Sequence, residues 1–114
     1  MIPIIDTHQH LWDLQSLSLD WVKGEKVMDR SYLMSDYLAA SKGTGIEQTV
    51  YMEVNVNPEC AEDEIKQMSV HCASSDTPMK KIVIAGNPLS SEFDIFLNKH
   101  TQNQFIRGLR SVLH

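Results

Sequence analysis

The chain has 114 residues, 42% hydrophobic and 22% charged, with 10 Lys+Arg against 15 Asp+Glu and a formal net charge of −5. That balance belongs to an ordinary soluble globular domain over 1–114, and the length excludes a complete α/β barrel, which needs roughly 200 residues or more. The acidic surplus argues against nucleic-acid or anionic-membrane partners, and no apolar run approaches the roughly 20 residues of a bilayer span.

The first apolar segment, Met1–Asp6, reads as a strand whose Pro3 suits only a strand start or an edge, because proline has no N–H for the ladder. Leu11–Arg30 has no clear period. Its Trp12, Leu17, Leu19 and Trp21 predict a packed loop over one end of a sheet rather than a disordered segment. Ser35 is the expected cap of a short helix over Asp36–Lys42, with Gly43 as its left-handed stop. Gln48–Val56 follows as a second strand, rich in residues that favour a pleated surface.

Asn57-Pro58 gives a cap and a first-position proline for a second helix. Glu59, Glu62, Asp63 and Glu64 load its first turns as a solvated, dipole-favoured end, while Ala61, Ile65, Met68 and Cys72 form an apolar face that carries it to Ala73. Lys81–Gly86 is a third strand. Ser90 or Ser91 caps a third helix over Glu92–Lys99, and Phe105–Leu113 is the fourth strand. Nearly continuous apolar strands alternating with helices imply right-handed crossovers and a parallel sheet with helices outside it. Cys60 and Cys72 lack CxxC spacing, and no signal-peptide core precedes them, so free thiols in a reducing cytoplasm are expected.

Asp6-Thr7-His8-Gln9-His10 leaves the first strand. Residues two apart point to one face, so His8 and His10 can aim two imidazoles at one point, as a divalent ion requires. A bare HxH is more often two surface histidines on a strand end. The apolar strand before it, its place at the carboxyl end and the preceding Asp6 favour the ligand reading. Glu53, inside an apolar strand, needs a partner or a role, or else must face outward. Arg110 shares a side with Ile106 and Gly108 near the end of the fourth strand. Its fork suits a substrate carboxylate or an acidic neighbour. Asn87-Pro88 is a turn at the same end, which makes Asn87 a candidate lining residue. Trp12 and Trp21 are pocket walls or core.

Ile5-Asp6-Thr7-His8-Gln9-His10-Leu11-Trp12 resembles the opening of the amidohydrolase superfamily. Its His-Gln-His-Leu-Trp stretch is similar to the lactonase-type branch often called amidohydrolase 2, which includes sugar-lactone and pyrone-dicarboxylate hydrolases. Thr49–Val54, Ile82–Pro88 and Gly108-Leu109-Arg110 resemble the second, third and fourth strands of that branch. The resemblance implies an α/β fold: a partial (β/α)8 TIM-type barrel of about four parallel strands with external helices, the amino-terminal half of such an enzyme. It also implies His8 and His10 as ligands of a divalent metal, Zn²⁺ first, although some members of the branch work without one. Glu53, Arg110 and Asn87 become substrate contacts, and the substrate a lactone or a carboxylate.

The later-strand histidines and the aspartate base of the family have no counterpart here. His71 and His100 fall in predicted helices, and His114 is terminal. The isolated chain is therefore expected to be inactive, with an oligomer or a partner completing the barrel. A non-catalytic half-barrel that binds a metal or ligand is the rival reading. A TatD-like metal-dependent nuclease is a third, disfavoured by the missing Gly-Glu-Ile-Gly segment and by the negative charge.

Overall fold

The computed structural model describes residues 2–113; Met1 and His114 lie outside the described residues. One parallel sheet in the order β1-β2-β3-β4 is built from β1 Ile4–Gln9, β2 Ile46–Met52, β3 Met79–Ala85 and β4 Ile106–Arg110. Each strand pairs with the next in chain order. The crossovers carry α1 Met34–Ser41, α2 Ala61–Ala73 and α3 Phe93–His100. The architecture is the expected partial barrel, an open four-stranded sheet with helices. None of the described helices is long and apolar enough to cross a membrane.

The core forms where the sheet meets its helices. Thr49, Tyr51, Ile82 and Ile84 are buried at alternate strand positions, and α2 contributes Ile65, Met68 and Cys72. Burying one such large side chain stabilises by roughly 1.5–3 kcal/mol, so this face fixes which side of the sheet α2 covers. Both cysteines are free and buried.

The connection after β1 is the packed loop expected. Leu11, Trp12, Leu17, Leu19 and Val22 are all buried, although Trp21 is 43% exposed. Trp12 and Tyr32 exchange backbone hydrogen bonds, N to O, at 3.0 and 2.8 Å. The loop lies at the carboxyl end of the sheet, where the Trp21 indole N–H donates to Val54 O at 2.9 Å and Asn57 N donates to Ser18 O at 2.7 Å.

Several local expectations are corrected. Ser35 lies inside α1 and does not cap it; the helix starts at Met34. Asp36 Oδ2 accepts from Leu33 N at 2.8 Å, and Asp36 N donates back to Leu33 O at 3.0 Å. Asp36→Ala should therefore cost about 1 kcal/mol, read as a fall of a few degrees in the thermal midpoint, whereas Ser35→Ala should leave it in place. Asn57 does not cap α2 either. Its Oδ1 accepts from Asp20 N in the loop, and a 3₁₀ turn, Pro58–Cys60, precedes the helix. β2 stops at Met52 rather than Val56, because the chain turns away at Asn55, whose φ of 53° lies in the left-handed region. β4 likewise ends at Arg110.

Candidate active site at the carboxyl end of the sheet

His8 and His10 leave β1 with ring centroids 4.7 Å apart and planes at 81°. His10 Nδ1 lies 2.8 Å from Met52 O on β2. A carbonyl only accepts, so Nδ1 carries the proton and Nε2 keeps its lone pair. Burial is the main cause holding the His10 pKa below its ordinary value; the hydrogen bond to Met52 opposes it, and the His8 and Arg110 charges act with burial. Burial favours a neutral imidazole, the form that binds metals, and the bond to Met52 O leaves Nε2 as the nitrogen free to do so.

Glu53 and Arg110 hold each other. Arg110 Nε donates to Glu53 Oε1 and Nη2 donates to the Glu53 carbonyl, both at 2.6 Å. Asn55 N donates to the other carboxylate oxygen, also at 2.6 Å. The left-handed turn at Asn55 brings that N–H back onto the side chain two residues before it. The Glu53 side chain is 1% exposed and Arg110 32%, so the carboxylate is enclosed and part of the guanidinium stays open. The clasp reaches from the end of β2 to the end of β4, across β3.

Glu64 is the residue that sequence reasoning misplaced. It is not on a solvated helix end; it is 2% exposed and lies beneath the site. Its Oε2 accepts from the Tyr51 hydroxyl at 2.7 Å and from Val54 N at 3.0 Å, and the Tyr51 hydroxyl also lies 3.0 Å from Leu11 O. Burial raises the Glu64 pKa against these two hydrogen bonds. The signal was in the spacing. Glu64 precedes Met68 by four and Cys72 by eight, which puts it on the apolar stripe of α2.

Two cavities open at this end. One, of about 620 Å³, is lined by His10, Trp12, Trp21, Met28, Tyr32 and Arg110 among others. The other, of about 570 Å³, is lined by Glu53, Asn87, Phe93 and Phe96, with Arg110 and Asn55 shared between the two. His10 and Arg110 thus border one concavity, Glu53 and Asn87 the adjoining one, and His8 neither. Asn87 Oδ1 accepts from Leu89 N at 3.1 Å and so stabilises its own turn. Trp12 is both core and wall: it is buried, and it stacks edge-on with Trp21 at 5.7 Å and with Tyr32 at 5.1 Å.

As a donor set for a metal, the two adjacent imidazoles fit two positions of a zinc sphere. Among the described residues no group of three or more His, Cys, Asp or Glu comes together as a metal cluster. Glu53, whose charge reaches His10, is already taken up by Arg110 and Asn55.

No family model matches the chain. It is 27% identical over 122 residues to the uncharacterized protein y4mH of Sinorhizobium fredii (strain NBRC 101917 / NGR234), a match over 99% of this chain and 41% of that protein. Among solved structures, amidohydrolase 2 from Bifidobacterium longum subsp. infantis matches with a TM-score of 0.73 and 24% identity, over 100% of this chain and 42% of that one. The chain therefore spans less than half the length of either relative. The chain shares the fold of the matched part of that structure.

Proposed function

We propose that this chain carries the first part of a hydrolase active site, one that opens a lactone or related cyclic ester with the help of a divalent metal. The observation that carries the reading is the His8–His10 pair at the end of β1, with His10 Nδ1 fixed on Met52 O and Nε2 left with a lone pair. His8 and His10 would hold two positions of a zinc ion, which when bound supplies a water acidic enough to ionise near neutrality and polarises a carbonyl. The open edge of the Arg110 guanidinium orients the ester oxygen, and Glu53 holds that guanidinium in place. Trp12 and Trp21 wall the cavity.

The remaining ligands and the base would come from the rest of a barrel, so these 114 residues alone should hydrolyse lactones negligibly. Zinc titration followed by ¹⁵N spectra of the histidine rings tests the reading. His8 and His10 should shift together at stoichiometric zinc, with affinity falling at least tenfold in His10→Ala, a loss of ~1.4 kcal/mol or more. Spectra in which the two rings ignore zinc would sink it. Zinc bound by the pair in a completed barrel, with no turnover on a lactone panel, would point instead to a non-catalytic binding module.

A further inference from the structure

We infer that the aromatic-walled cavity accepts an uncharged, largely apolar ring bearing a carbonyl, and discriminates against both carboxylates and polyhydroxylated rings. This rests on the proposed function in naming the substrate class of the same site. The first observation is charge. Arg110 is the cationic side chain of this cavity, and its charge is already matched by the enclosed Glu53 carboxylate at 2.6 Å. A ligand carboxylate placed on Arg110 would also meet the field of Glu53, in a chain of net charge −5. A neutral carbonyl needs only one N–H from the exposed guanidinium edge and brings no such repulsion.

The second observation concerns the walls. All three aromatic residues have committed their polar tips to backbone carbonyls: Trp12 Nε1 to Arg30 O at 2.7 Å, Trp21 Nε1 to Val54 O at 2.9 Å, and the Tyr32 hydroxyl to Val27 O. His10 has spent its Nδ1 proton on Met52 O. The cavity therefore presents ring faces, two valines and a methionine, with side-chain hydrogen bonding left to Arg110, Asn55, one imidazole lone pair and the acceptor side of the Tyr32 hydroxyl. A polyhydroxylated lactone would have to strip several hydroxyls of water and would find too few partners for them, a loss that polar groups pay heavily on burial. A flat ring loses nothing there and gains contact with the aromatic faces.

The test is isothermal titration of the metal-free 114-residue chain with three probes. These are phthalide, its ring-opened form 2-(hydroxymethyl)benzoate, and D-galactono-1,4-lactone. Phthalide should bind at least tenfold more tightly than the benzoate, and the sugar lactone should give no measurable heat. Trp21→Ala, at a half-exposed wall, should weaken phthalide about tenfold in a chain whose circular dichroism is unchanged, the size expected for one lost aromatic face. Glu53→Gln keeps an oxygen for Arg110 but removes the opposing charge, and should tighten the benzoate about tenfold. The inference is overturned if the benzoate binds the wild-type chain as tightly as phthalide, if the sugar lactone comes within tenfold of phthalide, or if phthalide fails to bind at millimolar concentration. Failure here with zinc still seated on His8 and His10 leaves the hydrolase reading standing. Phthalide preferred over both rivals in a chain whose histidines ignore zinc removes the hydrolase reading and keeps this one.

Discussion

Arg110→Met should lower the unfolding free energy by about 3 kcal/mol, the low end of the cost of leaving a buried carboxylate without its partner, since Arg110 itself is partly exposed. The loss has two parts: Glu53 Oε1 loses its ion pair, and the Glu53 carbonyl loses a donor. Removing the stranded charge as well, in Glu53→Gln/Arg110→Met, should restore more than half of the stability, because the single substitution is dominated by the orphaned carboxylate. Urea unfolding of the wild type, both single variants and the double variant reads this directly as a coupling between β2 and β4. A single-variant loss within about 0.5 kcal/mol, as at an ordinary surface position, would mean that Glu53 is not enclosed as described.

Glu64→Leu should cost about 2–3 kcal/mol, because Val54 N–H loses its acceptor in a dry interior while Tyr51 can still donate to Leu11 O. Glu64→Gln keeps an acceptor for Val54 and should be far milder. The two variants also separate through pH. A carboxyl whose pKa is raised in the folded state binds its proton more tightly there than when unfolded, so stability falls as pH rises from the ordinary value near 4.5 through the raised one. Burial is the main cause of the rise. Of the groups facing Glu64, Glu53 acts with burial, while Arg110 and the hydrogen bonds from Tyr51 and Val54 oppose it. Glu64→Gln removes this dependence, so the variant should gain on the wild type steadily across that window. Parallel pH profiles for the two proteins would show that Glu64 does not titrate against the fold.

The parts of this molecule that were legible in the sequence are those governed by period. The apolar run at Ile82–Ala85 and the strand-favouring residues of Gln48–Val56 marked the strands, and the stripe Ala61, Ile65, Met68, Cys72 marked α2, because burial on one face imposes a repeat that residue types reveal. The two-residue step from His8 to His10 likewise suggested neighbouring rings, and their centroids lie 4.7 Å apart. What stayed hidden depends on a third dimension. Nothing in the spacing of Glu53 and Arg110, 57 positions apart, says that the two meet rather than each facing a ligand. Glu64 was read by its charge, which favours a helix start in water, when its place on the apolar stripe was the better guide. The misassigned caps, Ser35 and Asn57, share a cause: several side chains near a helix start can accept a backbone N–H, and tertiary partners such as Asp20 decide among them.

The mutual backbone bonds between Trp12 and Tyr32 close the long β1–α1 connection on itself. Segments of that length at the mouth of a barrel often act as doors, opening on microsecond-to-millisecond timescales and setting the pace of product release. Here the two ends are stapled to each other, and Trp21 is tied to the end of β2. A ligand entering beside Trp12 and Trp21 would meet a surface already assembled, with little chain entropy left to lose on binding. Slow hydrogen–deuterium exchange at the Trp12 and Tyr32 amides, matching that of the strands, is what such a fixed wall would show.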